Sequence, residues 1–236
     1  MIDFHSHILP EMDDGADSVE TSLAMLRESF RQGVNIICST SHFYADEEDP
    51  KSFLKRRNAA YMRLMAEIDA PEDYPRILLG AEVLYYPGIS MSQEMRDLRL
   101  TGTPFLLIEP PMMHWSQEML DEIELCADTL NCIPVIAHID RYMHMFNDYT
   151  LFDRIKSSRV LIQVNANFFL HHESRDLALK YLREKRFHFM GSDCHNMDER
   201  CPNMGGAEAI IREAGAAGYF ANFSERQYRT LGGRKT

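Results

Sequence analysis

The sequence predicts an α/β fold in which a parallel sheet of seven strands closes into a barrel. Seven apolar runs recur along the 236 residues, helix-like segments separate most of them, and polar residues stand where the runs end. Strands that alternate with helices imply a parallel sheet with helical crossovers. The carboxyl ends of barrel strands converge on one mouth, whereas an open sheet would spread them apart. The polar strand ends therefore favour the barrel over the open sheet.

The predicted strands are short apolar runs typical of buried strands. They cover residues 1–5, 34–40, 76–85, 104–109, 133–139, 160–165 and 187–193.

The first predicted helix follows the first strand. Asp17 and Glu20 resemble a capping pair, apolar residues from Val19 to Phe30 fall on one face, and Gly33 ends the helix. Similar patterns predict helices over about residues 51–69, 117–130, 148–157, 174–185 and 207–217, and the connection over residues 87–100 is left unassigned.

Length and composition indicate one globular domain over residues 1–236, with a tail over residues 218–236 that either packs as a helix or frays. The formal net charge of -11 argues against nucleic acid or an anionic membrane as a partner. No signal peptide or membrane-spanning run is visible. The five cysteines form no C-x-x-C pair, so we expect reduced thiols and a cytoplasmic protein. The sequence leaves the oligomeric state open.

The most informative motif is Asp3-Phe4-His5-Ser6-His7, followed by Asp13-Asp14-Gly15. In a strand His5 and His7 project from one face, so they can bind one metal ion, with carboxylates close by. Further polar residues stand at or just after the ends of later strands: His42, Glu82, Glu109, His138, Asn165, Asp193 and His195. This mixture of ligands suits Mn, Fe or Zn better than a thiolate zinc site, and more than four ligands imply more than one ion.

Two arginines follow the histidines of the late strands. Arg141 stands three residues after His138, and Arg200 stands five residues after His195. A guanidinium group binds phosphate through two parallel hydrogen bonds. Beside a metal site, these arginines are predicted to hold a phosphate group, and several ions can support displacement at phosphorus.

Seven blocks of the sequence resemble the PHP (polymerase and histidinol phosphatase) family of phosphoesterases. Within it, the chain is most similar to the bacterial manganese-dependent protein-tyrosine phosphatases of capsular and exopolysaccharide operons. The blocks are HSHILPEMDDGA at 5–16, TSH at 40–42, LGAEV at 79–83, LLIEPP at 106–111, PVIAHIDRY at 134–142, IQVNAN at 162–167 and GSDCHN at 191–196.

This resemblance implies a single PHP phosphoesterase domain, a distorted (β/α)7 TIM-like barrel with a trinuclear metal site at the carboxyl ends of its strands. His5, His7, Glu82 and Asp193 would surround the first metal. Glu82, Glu109 and His138 would hold the second, and Asp14, His42 and His195 the third. Mn²⁺ is the expected ion, with Fe or Zn as alternatives. Arg141 and Arg200 match the phosphate-binding arginines of the family.

The predicted function is hydrolysis of phosphotyrosine in proteins by a hydroxide that the metal ions activate. The phenol of tyrosine has a pKa of about 10, so it leaves readily as phenolate. A poorer leaving group would take a proton from a metal-bound water or from His42. The resemblance implies that the substrate is a cytoplasmic tyrosine kinase of polysaccharide synthesis.

Three other functions are weighed against this one. The nearest is a PHP-family phosphatase of a small metabolite such as histidinol phosphate. A nuclease fits poorly with the acidic chain. In a non-catalytic module, the metals would hold the fold only and the surface would bind a kinase.

A thiol mechanism is the remaining alternative, because Cys194 and Arg200 form a C-x5-R pattern typical of cysteine phosphatases. Such a loop needs backbone amides around the phosphate and a thiol of low pKa. The five intervening residues contain no glycine and two carboxylates, which disfavours both requirements. We expect Cys194 to pack between metal ligands.

Overall fold

The computed structural model of the chain describes residues 1–146, 151–155 and 159–231. In these ranges the strands are β1 Ile2–Ser6, β2 Ile36–Ser39, β3 His42–Phe43, β4 Arg76–Leu79, β5 Glu82–Leu84, β6 Phe105–Glu109, β7 Ile133–Ile136, β8 Leu161–Asn165 and β9 Phe189–Gly191. The α-helices are α1 Val19–Arg31, α2 Pro50–Ala66, α3 Gln117–Thr129, α4 Ile139–Phe146, α5 Leu151–Ile155, α6 Asn167–Leu170, α7 His172–Arg183, α8 Met204–Glu213 and α9 Ala217–Thr230. Short 3-10 helices lie at Pro71–Asp73, Ile89–Met91 and Gln93–Leu98.

All strand pairs are parallel, which confirms the predicted α/β class with helical crossovers. One sheet has the order β1-β2-β4, and the other has the order β3-β5-β6-β7-β8-β9. The first strand also meets the last. The Asp193 N–H donates to the His5 carbonyl at 2.8 Å, and the His7 N–H donates to the Cys194 carbonyl at 2.9 Å. The two sheets thus form a curled, half-barrel wall.

The single strand predicted over residues 76–85 is wrong. β4 pairs with β2, whereas β5 pairs with β3 and β6, so the chain changes sheets between Leu79 and Glu82. The Gly80 N–H still donates to Ser39, but the Glu82 N–H donates to the carbonyls of Thr40 and Ser41. The predicted strand over residues 34–40 is likewise shortened to β2 and followed by the two-residue strand β3.

The helices agree with the predictions except in a few places. Neither α4 nor α6 was predicted, and α4 begins at Ile139, the last residue of the strand predicted over residues 133–139. Ser18, not Asp17, caps α1: its hydroxyl accepts from the Thr21 N–H at 3.1 Å, while Asp17 accepts from the Thr21 hydroxyl. The unassigned connection contains two of the 3-10 helices. Of the predicted helix over residues 148–157, the described part forms α5, and the rest lies outside the described residues.

The C-terminal tail forms a helix over most of its length. In α9, Phe220 and Phe223 are buried, and the Tyr228 hydroxyl donates to the carbonyl of Met1 at 3.3 Å. The helix therefore packs against the beginning of the first strand. Residues 232–236 of the predicted tail lie outside the described residues.

The strands carry apolar side chains at their starts and polar ones at their ends. In β6, Phe105 and Leu107 belong to a small apolar cluster together with Phe4 and Phe189, whose rings stack at 3.7 Å. Glu109 follows on the same face, two residues further on. A buried layer of aromatic and aliphatic side chains therefore lies beneath the polar ends of the strands.

No helix in the described part of the chain is long and apolar enough to span a membrane.

Candidate metal centre

The structure brings the nine predicted metal ligands together at the carboxyl ends of the strands. Their potential ligand atoms form four overlapping groups, and within each group these atoms lie within 4.8 Å of one another. The groups are His5, Glu82 and His138; His5, His7 and Asp193; His42, Glu82 and Glu109; and His7, Asp14, His42 and His195. Within the described residues, the groups contain all nine predicted ligands and no other residue.

Glu82 lies at the centre of this cluster and is almost completely buried. Its Oε2 atom is 3.0 Å from His5 Nε2 and 3.2 Å from both His7 Nε2 and His42 Nδ1. Its Oε1 atom lies 2.8 Å from His138 Nε2. One carboxylate thus faces four imidazole rings.

The donor set fits divalent cations. His5 Nε2 and His7 Nε2 lie 3.1 Å apart, both aimed at the same carboxylate oxygen. Among the described residues, the buried atoms His42 Nδ1 and His195 Nε2 make no hydrogen bond, although carboxylate oxygens of Glu82 and Asp14 lie 3.2 and 3.3 Å away. Buried polar atoms are normally satisfied, and a cation among these nitrogens and carboxylate oxygens would satisfy them.

Protonation of the cluster reflects the same charge arrangement. Burial opposes a charge on His7, but Asp13 and Glu82 outweigh it and raise the pKa of His7 to about 10. Burial also opposes a charge on His138, yet hydrogen bonds to Glu109 and Glu82 raise its pKa to about 9. Burial would raise the pKa of Glu82, but the histidines around it hold that pKa well below its ordinary value. In the absence of a cation, protons on His7 and His138 therefore balance part of the carboxylate charge.

The backbone is strained at two of the nine residues. His138 has a φ of 28° and Asp193 a φ of 55°, a region that side chains other than glycine rarely adopt. Such conformations persist only where the surroundings enforce them, and they concentrate at functional sites. Here each residue lies two positions after the end of a strand, and both contribute a potential ligand atom to the cluster.

Both predicted arginines reach the cluster. Arg141 Nη2 lies 2.7 Å from Asp193 Oδ2, and Arg200 Nη2 lies 2.9 Å from Asp193 Oδ1. A cavity of about 260 Å³ lies beside them, lined also by Asn165 and Phe168. The guanidinium groups stand at the boundary between the cluster and this cavity.

A family model for capsular polysaccharide synthesis, CpsB/CapC, matches residues 1–226 of the chain. The chain belongs to the CpsB/CapC family.

Relatives in this family are named tyrosine-protein phosphatases. The chain is 32% identical over 223 residues to tyrosine-protein phosphatase CpsB of Streptococcus agalactiae serotype III, with 89% of each chain covered. It is 33% identical over 226 residues to tyrosine-protein phosphatase CpsB of Streptococcus pneumoniae, again with 89% of each covered. The predicted resemblance is thereby confirmed.

A solved structure shares the fold of this CpsB/CapC chain. It comes from work on YwqE of Bacillus subtilis and CpsB of Streptococcus pneumoniae, described as unique metal-dependent tyrosine phosphatases. The TM-score is 0.82 at 24% identity, and the match covers 100% of this chain and 96% of the other.

In this family member the C-x5-R segment cannot form a phosphate-binding thiol loop. The His195 N–H donates to the Arg200 carbonyl at 2.8 Å, and the Asn196 side chain accepts from the N–H groups of Asp198 and Arg200. The loop amides are thus used within the loop itself. Cys194 is fully buried, and that burial holds the pKa of its thiol well above the ordinary value. The structure agrees with the expectation that Cys194 is a packing residue.

Sequence reasoning missed two residues that contact His5 and His7. Asp13 accepts from His7 Nδ1 at 2.8 Å, and Gln163 Oε1 lies 3.3 Å from His5 Nδ1. Gln163 also accepts from the His138 N–H at 2.6 Å. Asp13 is next to the predicted ligand Asp14, which is the one sequence signal that pointed to it.

Proposed function

We propose that this protein is a metal-dependent phosphatase that hydrolyses phosphotyrosine in proteins. The arrangement that best supports this proposal is the Glu82 carboxylate facing four histidines, with two arginines on the neighbouring Asp193. Cations and guanidinium groups next to each other suit a phosphoryl group, whose oxygens carry its negative charge. The names of the streptococcal relatives support tyrosine phosphate as the substrate.

We assign the nine clustered residues as ligands of up to three divalent ions, in a sheet that closes into a distorted (β/α)7 barrel. The four groups of ligand atoms share members, which supports ions lying close together. Their mixture of imidazole and carboxylate suits Mn²⁺, with Fe or Zn as alternatives. When bound, such ions supply positive charge that stabilises the phosphoryl oxygens and lowers the pKa of water.

Arg141 and Arg200 bind the phosphoryl group in this proposal. Each has a guanidinium N–H group that now donates to Asp193, and the arginines lie on either side of that carboxylate. On substrate binding they transfer hydrogen bonds to the phosphoryl oxygens and hold phosphorus in line for displacement. The cavity beside them provides room for the rest of the substrate.

In this proposal, His42 donates a proton to a poor leaving group. Its side chain is 14% exposed, whereas His5, His7 and His138 are essentially inaccessible. Its Nε2 atom lies 3.6 Å from Asp14 Oδ1 at the surface of the cluster. Tyrosine phenolate needs little help in leaving, so this role of His42 carries more weight for alkyl phosphates.

The family assignment supports a role in capsular or exopolysaccharide synthesis. We propose that the physiological substrate is a phosphorylated bacterial tyrosine kinase of that process, and that the enzyme acts in the cytoplasm as one PHP domain.

Hydrolysis by metal-stripped and metal-loaded protein tests the function. A phosphotyrosine peptide, a phosphoserine peptide and histidinol phosphate are each incubated after chelation and after addition of Mn²⁺, Zn²⁺ or Fe²⁺. We expect no hydrolysis after chelation, recovery with Mn²⁺, and the highest kcat/KM with the phosphotyrosine peptide. Preference for histidinol phosphate would instead establish a metabolite phosphatase. Full activity without metal would overturn the proposal.

A further inference from the structure

We propose that Asp13 is a positioning residue that orients two histidines of the metal centre through one carboxylate oxygen. Asp13 Oδ2 accepts hydrogen bonds from His7 Nδ1–H and from the His42 backbone N–H, both at 2.8 Å. This inference rests on the proposed metal centre, but not on the identity of the substrate.

Both oxygen atoms of the Asp13 carboxylate accept hydrogen bonds. Its second oxygen, Oδ1, accepts from the Gly15 N–H at 3.0 Å, and the side chain is only 5% exposed. A buried carboxylate that accepts three hydrogen bonds, from the His7 ring and from the N–H groups of Gly15 and His42, is a rigid support.

For His7, the bond to Asp13 fixes the ring and the tautomer. With its Nδ1–H engaged, the ring presents Nε2 to the cluster, 3.2 Å from Glu82 Oε2 and 3.6 Å from Asp193 Oδ1. A carboxylate on the far nitrogen of a metal-binding histidine orients the ring and increases its basicity. Gln163 stands in the corresponding place for His5, but as a neutral amide.

For His42, Asp13 acts on the backbone. The N–H that it accepts lies at the start of β3, where His42 pairs in register with Glu82 of β5. The His42 ring then has Nδ1 near Glu82 and Nε2 near Asp14. The same oxygen thus ties the loop after β1 to the strand that carries His42.

Gly15 explains why the turn can bring Asp13 so close. A Cβ atom on Gly15 would lie 2.4 Å from the His7 carbonyl oxygen and 2.6 Å from His7 Cβ. No other residue fits there without moving His7. In Asp13-Asp14-Gly15, the first acid orients, the second offers its carboxylate to the cluster, and the glycine permits the contact.

The loss of Asp13 should affect some groups of potential metal ligands and not others. Of the four groups of potential ligands in the described chain, three contain His7 or His42, and the fourth consists of His5, Glu82 and His138. Loss of Asp13 should therefore weaken cation binding at three groups and leave the fourth nearly unchanged.

Calorimetric titration of metal-free protein with Mn²⁺ tests this role. We expect Asp13→Ala to lower the affinity of the Mn²⁺ sites that use His7 or His42 roughly 10–100-fold and to leave one site with wild-type affinity. Asp13→Asn should have a smaller effect, because one of its two polar atoms can no longer accept. Asp17→Asn removes the same charge from an exposed position four residues away and should match the wild type.

Histidine ¹⁵N spectra of the Zn²⁺-loaded protein provide a second measurement that does not depend on activity. In the wild type we expect the His7 proton on Nδ1, and in Asp13→Asn a changed Nδ1 signal while the circular dichroism spectrum is retained. Wild-type Mn²⁺ affinity and an unchanged His7 signal in Asp13→Asn would overturn the role of Asp13. If the wild type binds no Mn²⁺, both proposals fail. If it binds Mn²⁺ but does not hydrolyse phosphotyrosine, only the proposed function fails.

Discussion

Arg141 and Arg200 donate to opposite oxygens of one carboxylate, that of Asp193, at 2.7 and 2.9 Å. Asp193 also lies 3.6 Å from both His5 Nε2 and His7 Nε2. This carboxylate therefore contacts both arginines, and its Oδ1 atom faces Arg200 as well as the two histidines. In the proposed function, a bound phosphoryl group would meet the arginines next to the cation that Asp193 is proposed to hold.

Replacing either arginine should impair catalysis without removing metal. We expect Arg141→Ala and Arg200→Ala each to lower kcat/KM for a phosphotyrosine peptide roughly 100-fold or more, because one donor to the phosphoryl oxygens is lost. Mn²⁺ content, measured by mass spectrometry, should not fall. Arg159→Ala, which breaks a surface ion pair with Asp128 within the described part of the chain, is the control. Wild-type kcat/KM in both variants would contradict the proposed binding role.

We expect the Glu82→Gln variant to bind cations more weakly at the centre of the cluster. The variant keeps the shape but loses the charge that faces four histidines, so cation affinity and activity should both fall by at least about 100-fold. Metal content after dialysis and kcat/KM with added Mn²⁺ measure the two effects. Glu225→Gln, at an exposed ion pair on α9, should behave as the wild type. Retention of the full metal complement in Glu82→Gln would show that Glu82 is not a shared ligand.

Mn²⁺ binding should become tighter as the pH rises. Without a cation, the pKa of His7 is about 10 and that of His138 about 9, so both rings carry a proton at neutral pH. Metal ligands must be deprotonated, so binding releases protons and a lower pH opposes it. Calorimetry in two buffers of different ionisation enthalpy should give different binding heats. Equal heats in both buffers would mean that no proton is released.

Gly191→Ala should destabilise the protein and disturb the metal centre together. A Cβ atom at this position would lie 2.5 Å from His5 Cβ and 2.7 Å from the His5 backbone nitrogen, where β9 lies beside β1. Overpacking of this kind costs about 1–3 kcal/mol, or roughly 2–4 °C of Tm for each kcal/mol in a chain of this size. Gly218→Ala meets nothing within 4 Å in α9 and should be neutral or slightly stabilising. Thermal unfolding with and without Mn²⁺ tests both variants.

Cys194→Ser should keep most of the activity. The thiol is buried and its pKa is held well above the ordinary value, so it is not a nucleophile at neutral pH. Iodoacetamide should likewise leave the native enzyme active. Loss of phosphotyrosine hydrolysis in a folded, metal-loaded Cys194→Ser variant would support the thiol mechanism instead.

The strand-end residues could be predicted because their signal is local. Glu109 and His138 directly follow apolar runs, and the end of a buried strand fixes where such a side chain goes. Gln163 could not be predicted in this way. It stands inside an apolar strand, and its role depends on His5, which is 158 residues away in the chain.

Neighbouring residues of similar chemistry also limit what a sequence can reveal. Asp13 and Asp14 are both acids in one turn, yet Asp13 is engaged on three sides and Asp14 is 63% exposed. Ser18 and Asp17 are both good caps, and only the backbone path selects the serine. The change of sheet after Leu79 leaves no trace in hydrophobicity, because apolar residues stand on both sides of it although β4 is only partly buried.

The contact between β1 and the β9 region determines when the cluster can form during translation. His5 and His7 precede Asp193 and His195 by more than 180 residues in the sequence. A nascent chain therefore cannot assemble all nine clustered residues until the segment that follows β9 has been synthesised.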